Sequence, residues 1–373
     1  MHFPFPARRL RLVLLPPALA AAGLLAGCAD SAYYLQSIGG HLDVMRAARP
    51  VQAWLDDAQT PPALKARLQL AQRMRAFAVN ELKLPDNPSY HRYADLHRRS
   101  VVWNVVAAPP YSLKARTWCF PVTGCIGYRG YYREEAARDE AAGLAAQGLE
   151  TTVYGVPAYS TLGWSNWFGG DPLLNTFLFY PEGELARMLF HELAHQVVYA
   201  RDDTPFNESF ATAVERLGGA RWLALQASAA ARAEYAAYDA RRRAFRALTQ
   251  ATRRALARLY DEDEAPAGGE AVREARKAEA MQAFRARYAA LRAEWGGDAR
   301  LYAGYDAWVA HANNASFAAM AAYDDLVPGF EALFEREGRD WQRFYDAVRR
   351  LAALPRAERH EALKNTNQET PGA

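Results

Sequence analysis

The chain has 373 residues, 51% of them hydrophobic and 23% charged. That excludes a wholly disordered protein and leaves ample apolar surface for one large domain or two ordinary ones. The formal net charge is +3. Arg8, Arg9 and Arg11 carry the excess, so residues 28–373 are formally neutral and binding to nucleic acid through phosphate neutralisation is not expected.

Residues 1–27 read as a secretory leader, with Arg8, Arg9 and Arg11 ahead of an apolar stretch from Leu12 to Leu25. Pro16 and Pro17 interrupt it, which is unusual for a membrane-spanning helix. The segment ends Leu25-Ala26-Gly27-Cys28. This resembles the lipobox of bacterial lipoproteins, in which the cysteine is acylated and becomes the first mature residue. The resemblance implies a lipid anchor at Cys28, and Ala29 behind it implies the periplasmic face of the outer membrane. No later stretch reaches the roughly 18 apolar residues of a spanning helix, so a soluble domain tethered to a bilayer is expected.

Further along, residues 29–60 read as a helical lead-in. Leu64, Leu68, Ala71, Met74, Ala78 and Leu82 recur at helical spacing before Pro85. Val101–Ala108 is an apolar run broken only by Asn104 and reads as a strand that ends at Pro109-Pro110. Cys119 and Cys125 flank Pro121 and Gly124, residues suited to a turn. An oxidising compartment favours their pairing, and two thiols alone are too few for a zinc site. Tyr132–Gln147 reads as a helix stopped by Gly148, and Glu150–Val156 as a second strand. The aromatic segment Tyr159–Phe168 fits a loop or edge strand over a cleft.

Glu182–Ala200 reads as a helix, and Thr204 to about Arg258 as one long helix or two in series, with Thr204 as the N-cap. After Gly268-Gly269, Glu270–Trp295 makes a return helix. Ala220–Trp295 is rich in Ala, Arg and Glu with interleaved charges, which predicts an exposed helical hairpin without a one-signed face. Residues 313–354 read as helical again, and the polar tail after Pro355 as loose. The expected organisation is a leader (1–27), a core (28–218), a long helical hairpin (219–300) and a C-terminal helical part completing the cleft (301–373).

The strongest chemical signal is His191-Glu192-Leu193-Ala194-His195. Residues four apart share a helix face, so both imidazoles can reach one metal ion, with Glu192 placed to act as a base. A catalytic zinc site needs a third protein ligand and one open position. Glu208 and Glu215, on the following helix and seven residues apart, both fall within reach, and spacing alone does not separate them.

His191-Glu-x-x-His195 followed by Asn207-Glu208-x-Phe210-Ala211 resembles the gluzincin metallopeptidases, the thermolysin-like and aminopeptidase-N-like enzymes. The chain is more similar still to a family of bacterial lipoproteins assigned as aminopeptidases. That similarity runs through Phe120–Cys125 with Tyr128-Arg129-Gly130-Tyr131, Ser160–Trp164, the His-Glu motif, Asn313-Asn314-Ala315 and Val327-Pro328. The resemblance implies an α+β, zincin-like core. It implies one Zn²⁺ held by His191, His195 and Glu208, Glu192 as general base, and Glu215 orienting a ligand histidine. Tyr323 is the first candidate for the oxyanion donor and His311 the second. The gap between His195 and Glu208 is shorter than in the better-known gluzincins. No Gly-Ala-Met-Glu-Asn segment precedes the motif, which leaves endopeptidase action open beside aminopeptidase action.

The expected function is therefore zinc-dependent peptide hydrolysis at a periplasmic membrane face. Two rivals use the same residues: a catalytically weak zincin-fold lipoprotein that binds or assembles envelope components, and a structural lipoprotein whose zinc only stiffens the helices.

Overall fold

The computed structural model describes residues 17–120, 124–163, 166–261, 269–321 and 326–368, with residues 17–30, 168, 299–300, 321 and 367–368 as backbone alone. In chain order the first half runs α1 (Pro17–Ala47), β1 (Arg49–Pro50), α2 (Val51–Asp56), α3 (Pro62–Asn80), β2 (Arg92–Ala94), β3 (Val102–Ala108), β4 (Trp118–Phe120), β5 (Gly124–Ile126), β6 (Arg129–Tyr131), α4 (Glu134–Ala145), β7 (Glu150–Val156), β8 (Leu173–Leu174) and α5 (Asn175–Leu178). The second half is helical: α6 (Glu182–Ala194), α7 (Thr204–Leu225), α8 (Ala229–Tyr260), α9 (Gly269–Trp295), α10 (Ala303–His311), α11 (Asn314–Ala321), α12 (Val327–Arg336), α13 (Trp341–Ala352) and α14 (Arg356–Gln368). Among the described residues no helix is long and apolar enough to cross a membrane. The leader reading falls largely on residues 1–16, outside the described residues, and the side chain of Cys28 is outside them too.

β3 is the middle strand of an antiparallel sheet ordered β6-β3-β7. Its apolar run follows from cover on both faces. Val105 and Ala107 pack on Ala137, Ala141 and Leu144 of α4, while Val106 and Ala108 pack on Ala315 of α11. The even-numbered face continues through Asn104 and Val102 into the wall of a cavity. A second small sheet, β1-β2-β8, ties the early chain to the segment before α5.

The main core gathers α3, α6, α7, α12 and α13. On α6, Leu185, Ala186, Leu189, Phe190, Leu193 and Ala194 are buried. Gly218 and Gly219 let α7 lie close against α6: a Cβ at Gly218 would stand 2.7 Å from Leu82 and 3.1 Å from Phe190, and one at Gly219 would stand 2.6 Å from Arg187.

Four sequence expectations are corrected. The helix predicted to reach Ala200 ends at Ala194, with His195 as its C-cap. The N-cap of α7 is Asp203, whose carboxylate accepts from Phe206 N at 3.3 Å, and Thr204 is the first helical residue. Solvent does not surround the hairpin α8–α9. Phe245, Leu256, Met281, Phe284 and Tyr288 form a core with Val309, Ala312 and Phe317 from α10 and α11. The tail after Pro355 is helical, because it has an apolar anchor and charged partners. Leu363 is 1% exposed, and Arg359 and His360 reach Asp203 at 3.4 and 2.9 Å.

Leu363→Ala is therefore expected to destabilise the protein by about 2–5 kcal/mol, read as a lower denaturant midpoint at unchanged slope. An unchanged midpoint would contradict the packing of α14.

Candidate metal centre

α6 and α7 place three ligand atoms together. His191 Nε2 and His195 Nε2 are 3.2 Å apart, and Glu208 Oε2 lies 3.4 Å from the first and 3.7 Å from the second. One atom from each residue falls within a 4.8 Å cluster. The turn that returns the chain makes this possible. Asn207 is 2% exposed; its Nδ2 donates to Ala200 O and its Oδ1 accepts from Ala200 N, both at 2.7 Å. This closes the loop between the helices and sets Glu208 against the histidines.

Glu215 does not join the cluster. Its Oε2 accepts from His191 Nδ1 at 2.9 Å, and its Oε1 pairs with Arg187. Arg187 is 3% exposed and also contacts Glu184 and Tyr235 OH, at 3.4 and 3.2 Å. Burial pushes the Glu215 carboxyl up, but the Arg187 guanidinium and His191 outweigh it and hold it at about 2. An ionised Glu215 can only accept, so His191 keeps its proton on Nδ1 and turns Nε2 to the cluster.

The electrostatics fit a cation. Burial disfavours a charged His195 ring and brings its pKa down to about 4. Burial also opposes ionisation of Glu208, and the two imidazoles outweigh it, so its pKa lies below the usual carboxylate range. Around His191 burial is outweighed by Glu208 and Glu215, which raise its pKa well above normal. The proton that His191 Nε2 holds beside Glu208 marks the place of a positive charge, and with that proton displaced by a metal ion two imidazole nitrogens and one carboxylate oxygen form a donor set suited to zinc. His195 Nδ1 is buried and has no hydrogen-bond partner among the described residues.

The cluster opens on a cavity of about 560 Å³ that Glu192 also lines. Burial, with Glu208 and Asp171 adding to it, lifts Glu192 to about 7. The walls include Val102 and Asn104 from β3, Phe120 and Ile126 from the β4–β5 hairpin, and Tyr159, Ser160 and Leu162 from the aromatic loop. Cys119 and Cys125 form the disulfide of that hairpin. Cys125 N donates to Asp202 Oδ1 at 2.7 Å, which ties the hairpin to the turn before α7. The aromatic loop is held by buried Asp171, which accepts from Thr161 N at 3.0 Å and from Thr161 Oγ1 at 2.7 Å.

Tyr323 and Trp164 lie outside the described residues. His311 is exposed at the end of α10 and is not among the residues lining the cavity. Arg129 and Tyr131 pack rather than face the cavity: Arg129 stacks over the Tyr33 ring at 4.1 Å, and Tyr131 joins the core under α4. Sequence reasoning missed Tyr128 and Tyr199, which line the cavity. Burial and the nearby Glu208 raise both phenols, Tyr199 to about 12. The signal for Tyr199 was its place in the short turn between the His-Glu motif and the helix that bears Glu208. That for Tyr128 was its place directly after the disulfide hairpin.

The model of the family described as "Putative aminopeptidase" matches residues 32–363, and the chain belongs to that family. The family description points to a peptidase. Comparison with curated proteins and with solved structures finds no match.

Glu215→Gln should weaken metal binding by roughly 10- to 100-fold, measured by chelator competition. Affinity equal to wild type would contradict an orienting role for Glu215.

Proposed function

We propose that this protein is a zinc-dependent peptidase of the gluzincin type with a zincin-like core. It acts as an aminopeptidase and is held by a lipid at Cys28 on the periplasmic face of the bacterial outer membrane. The observation that carries this reading is the approach of Glu208 to the Nε2 atoms of both histidines, in a cavity that Glu192 also lines. His191, His195 and Glu208 hold the ion, and Glu215 sets the ring of His191. When bound, zinc supplies Lewis-acid polarisation of a carbonyl and acidifies water at neutral pH.

Glu192 takes the proton of the attacking water and delivers it to the leaving amine. A carboxyl with a pKa near 7 is suited to moving a proton in both directions. Tyr128 and Tyr199 keep their phenolic protons through the physiological range, so each can donate to the oxyanion that develops on the substrate carbonyl. Asn104, Val102, Val156 and Leu162 give the cavity a mixed wall that accepts an uncharged or apolar substrate side chain.

Replacing Glu192 by Gln keeps the shape of the site and removes the base. Peptide hydrolysis is expected to fall by about 10²- to 10⁴-fold while bound zinc stays at the wild-type level. Chelation should abolish activity and added zinc restore it. Hydrolysis undiminished in Glu192→Gln would overturn the mechanism, and equal activity with and without zinc would overturn the metal dependence.

A further inference from the structure

Four of the exposed large hydrophobic side chains crowd into nine residues of α1: Tyr34, Leu35, Ile38 and Leu42, at 38%, 71%, 58% and 44% exposure. Leu35, Ile38 and Leu42 are spaced i, i+3, i+7, so they form one stripe along the helix. Exposed apolar side chains grouped in this way mark a surface of interaction.

The rest of α1 is fixed to the body of the protein, so the stripe has a set direction. Gly40 sits against the Tyr132 ring, where a Cβ would come within 2.4 Å of the Tyr132 Cβ. Gln36 Oε1 accepts from Tyr132 N at 3.2 Å. His41 Nδ1 and Tyr159 OH are 2.7 Å apart. Tyr33, Tyr34 and Ser37 line the cavity of the candidate metal centre. Tyr34 is both a cavity wall and partly exposed, which puts it on the rim between the cavity and the stripe.

The same helix runs back without a break to Pro17 and so takes in most of the apolar stretch Leu12–Leu25, which the Arg8-Arg9-Arg11 cluster precedes in the sequence. Cys28 stands seven residues before Leu35, two helical turns and about 10 Å. A bilayer engaged by that stretch, or by a lipid at Cys28, therefore lies within reach of the stripe.

We propose that the Leu35–Ile38–Leu42 face of α1 rests on the lipid bilayer. The helix lies in the plane of the interface with its apolar side among the headgroups and upper acyl chains. Its opposite face forms part of the cavity wall, so the mouth beside Tyr34 opens close to the membrane surface. The partner is a lipid surface, and the inference rests on the membrane anchoring read above.

The test uses the full mature chain in phosphatidylethanolamine–phosphatidylglycerol vesicles. Nitroxides are placed singly through Leu35→Cys, Ile38→Cys and Leu42→Cys, with Lys364→Cys on exposed α14 as the aqueous reference. The ratio of oxygen to nickel-chelate collisions should be severalfold higher at 35, 38 and 42 than at 364. Ratios equal to that at 364 overturn the docking. So do labels shielded from both reagents in a chain of doubled mass, which would show a second copy covering the stripe. The mass of the N-terminal peptide reads the anchor separately: a peptide without acyl chains overturns lipidation at Cys28 and leaves the docking to be decided by the label ratios.

Discussion

A carboxylate buried between two imidazoles is the interaction on which the rest of this structure turns. Burying Glu208 without a compensating charge would cost several kcal/mol, and a positive charge offsets it at that point: the proton of His191 when no metal is bound, and a divalent ion in its place. The neighbouring carboxylate, Glu215, has its own cation in Arg187. Glu208 has the two histidine Nε2 atoms and the cavity in front of it. A divalent ion at that place would neutralise Glu208 and keep both rings in the orientation that Glu215 and the helix already impose.

Much of the chain serves to hold α6 and α7 in register. Gly218 and Gly219 permit their close approach, and Asn207 closes the turn between them. Asp203 starts α7 and is gripped by His360 and Arg359, more than 150 residues away in sequence. Phe206 and Phe210 rest on Phe330 of α12, with ring centroids 5.1 and 5.7 Å apart. The C-terminal helices thus stabilise the helix that bears Glu208. The disulfide hairpin and the loop around Asp171 make the walls in front of it.

The parts legible in the sequence were those written in local pattern. The β3 run, the β7 run and the α3 periodicity announced their elements, and the four-residue spacing of His191 and His195 announced a shared face. The choice between Glu208 and Glu215 was not legible from spacing, because both lie on the same side of α7 one pair of turns apart. It depends on Arg187, whose charge claims Glu215, and that ion pair joins two helices. The α14 helix was misread for the same kind of reason. Its sequence is polar, and what orders it is one apolar residue, Leu363, together with the distant Asp203. The hairpin looked solvated because its few large side chains find partners on α10 and α11 rather than on each other alone.

The most direct test of the account is X-ray absorption at the zinc edge on protein purified without added metal, paired with elemental analysis. The account predicts one zinc per chain with two imidazole ligands and oxygen donors, and loss of one oxygen donor in Glu208→Ala. Protein without stoichiometric metal, or zinc in a sulfur shell, or a zinc shell unchanged in Glu208→Ala would contradict it.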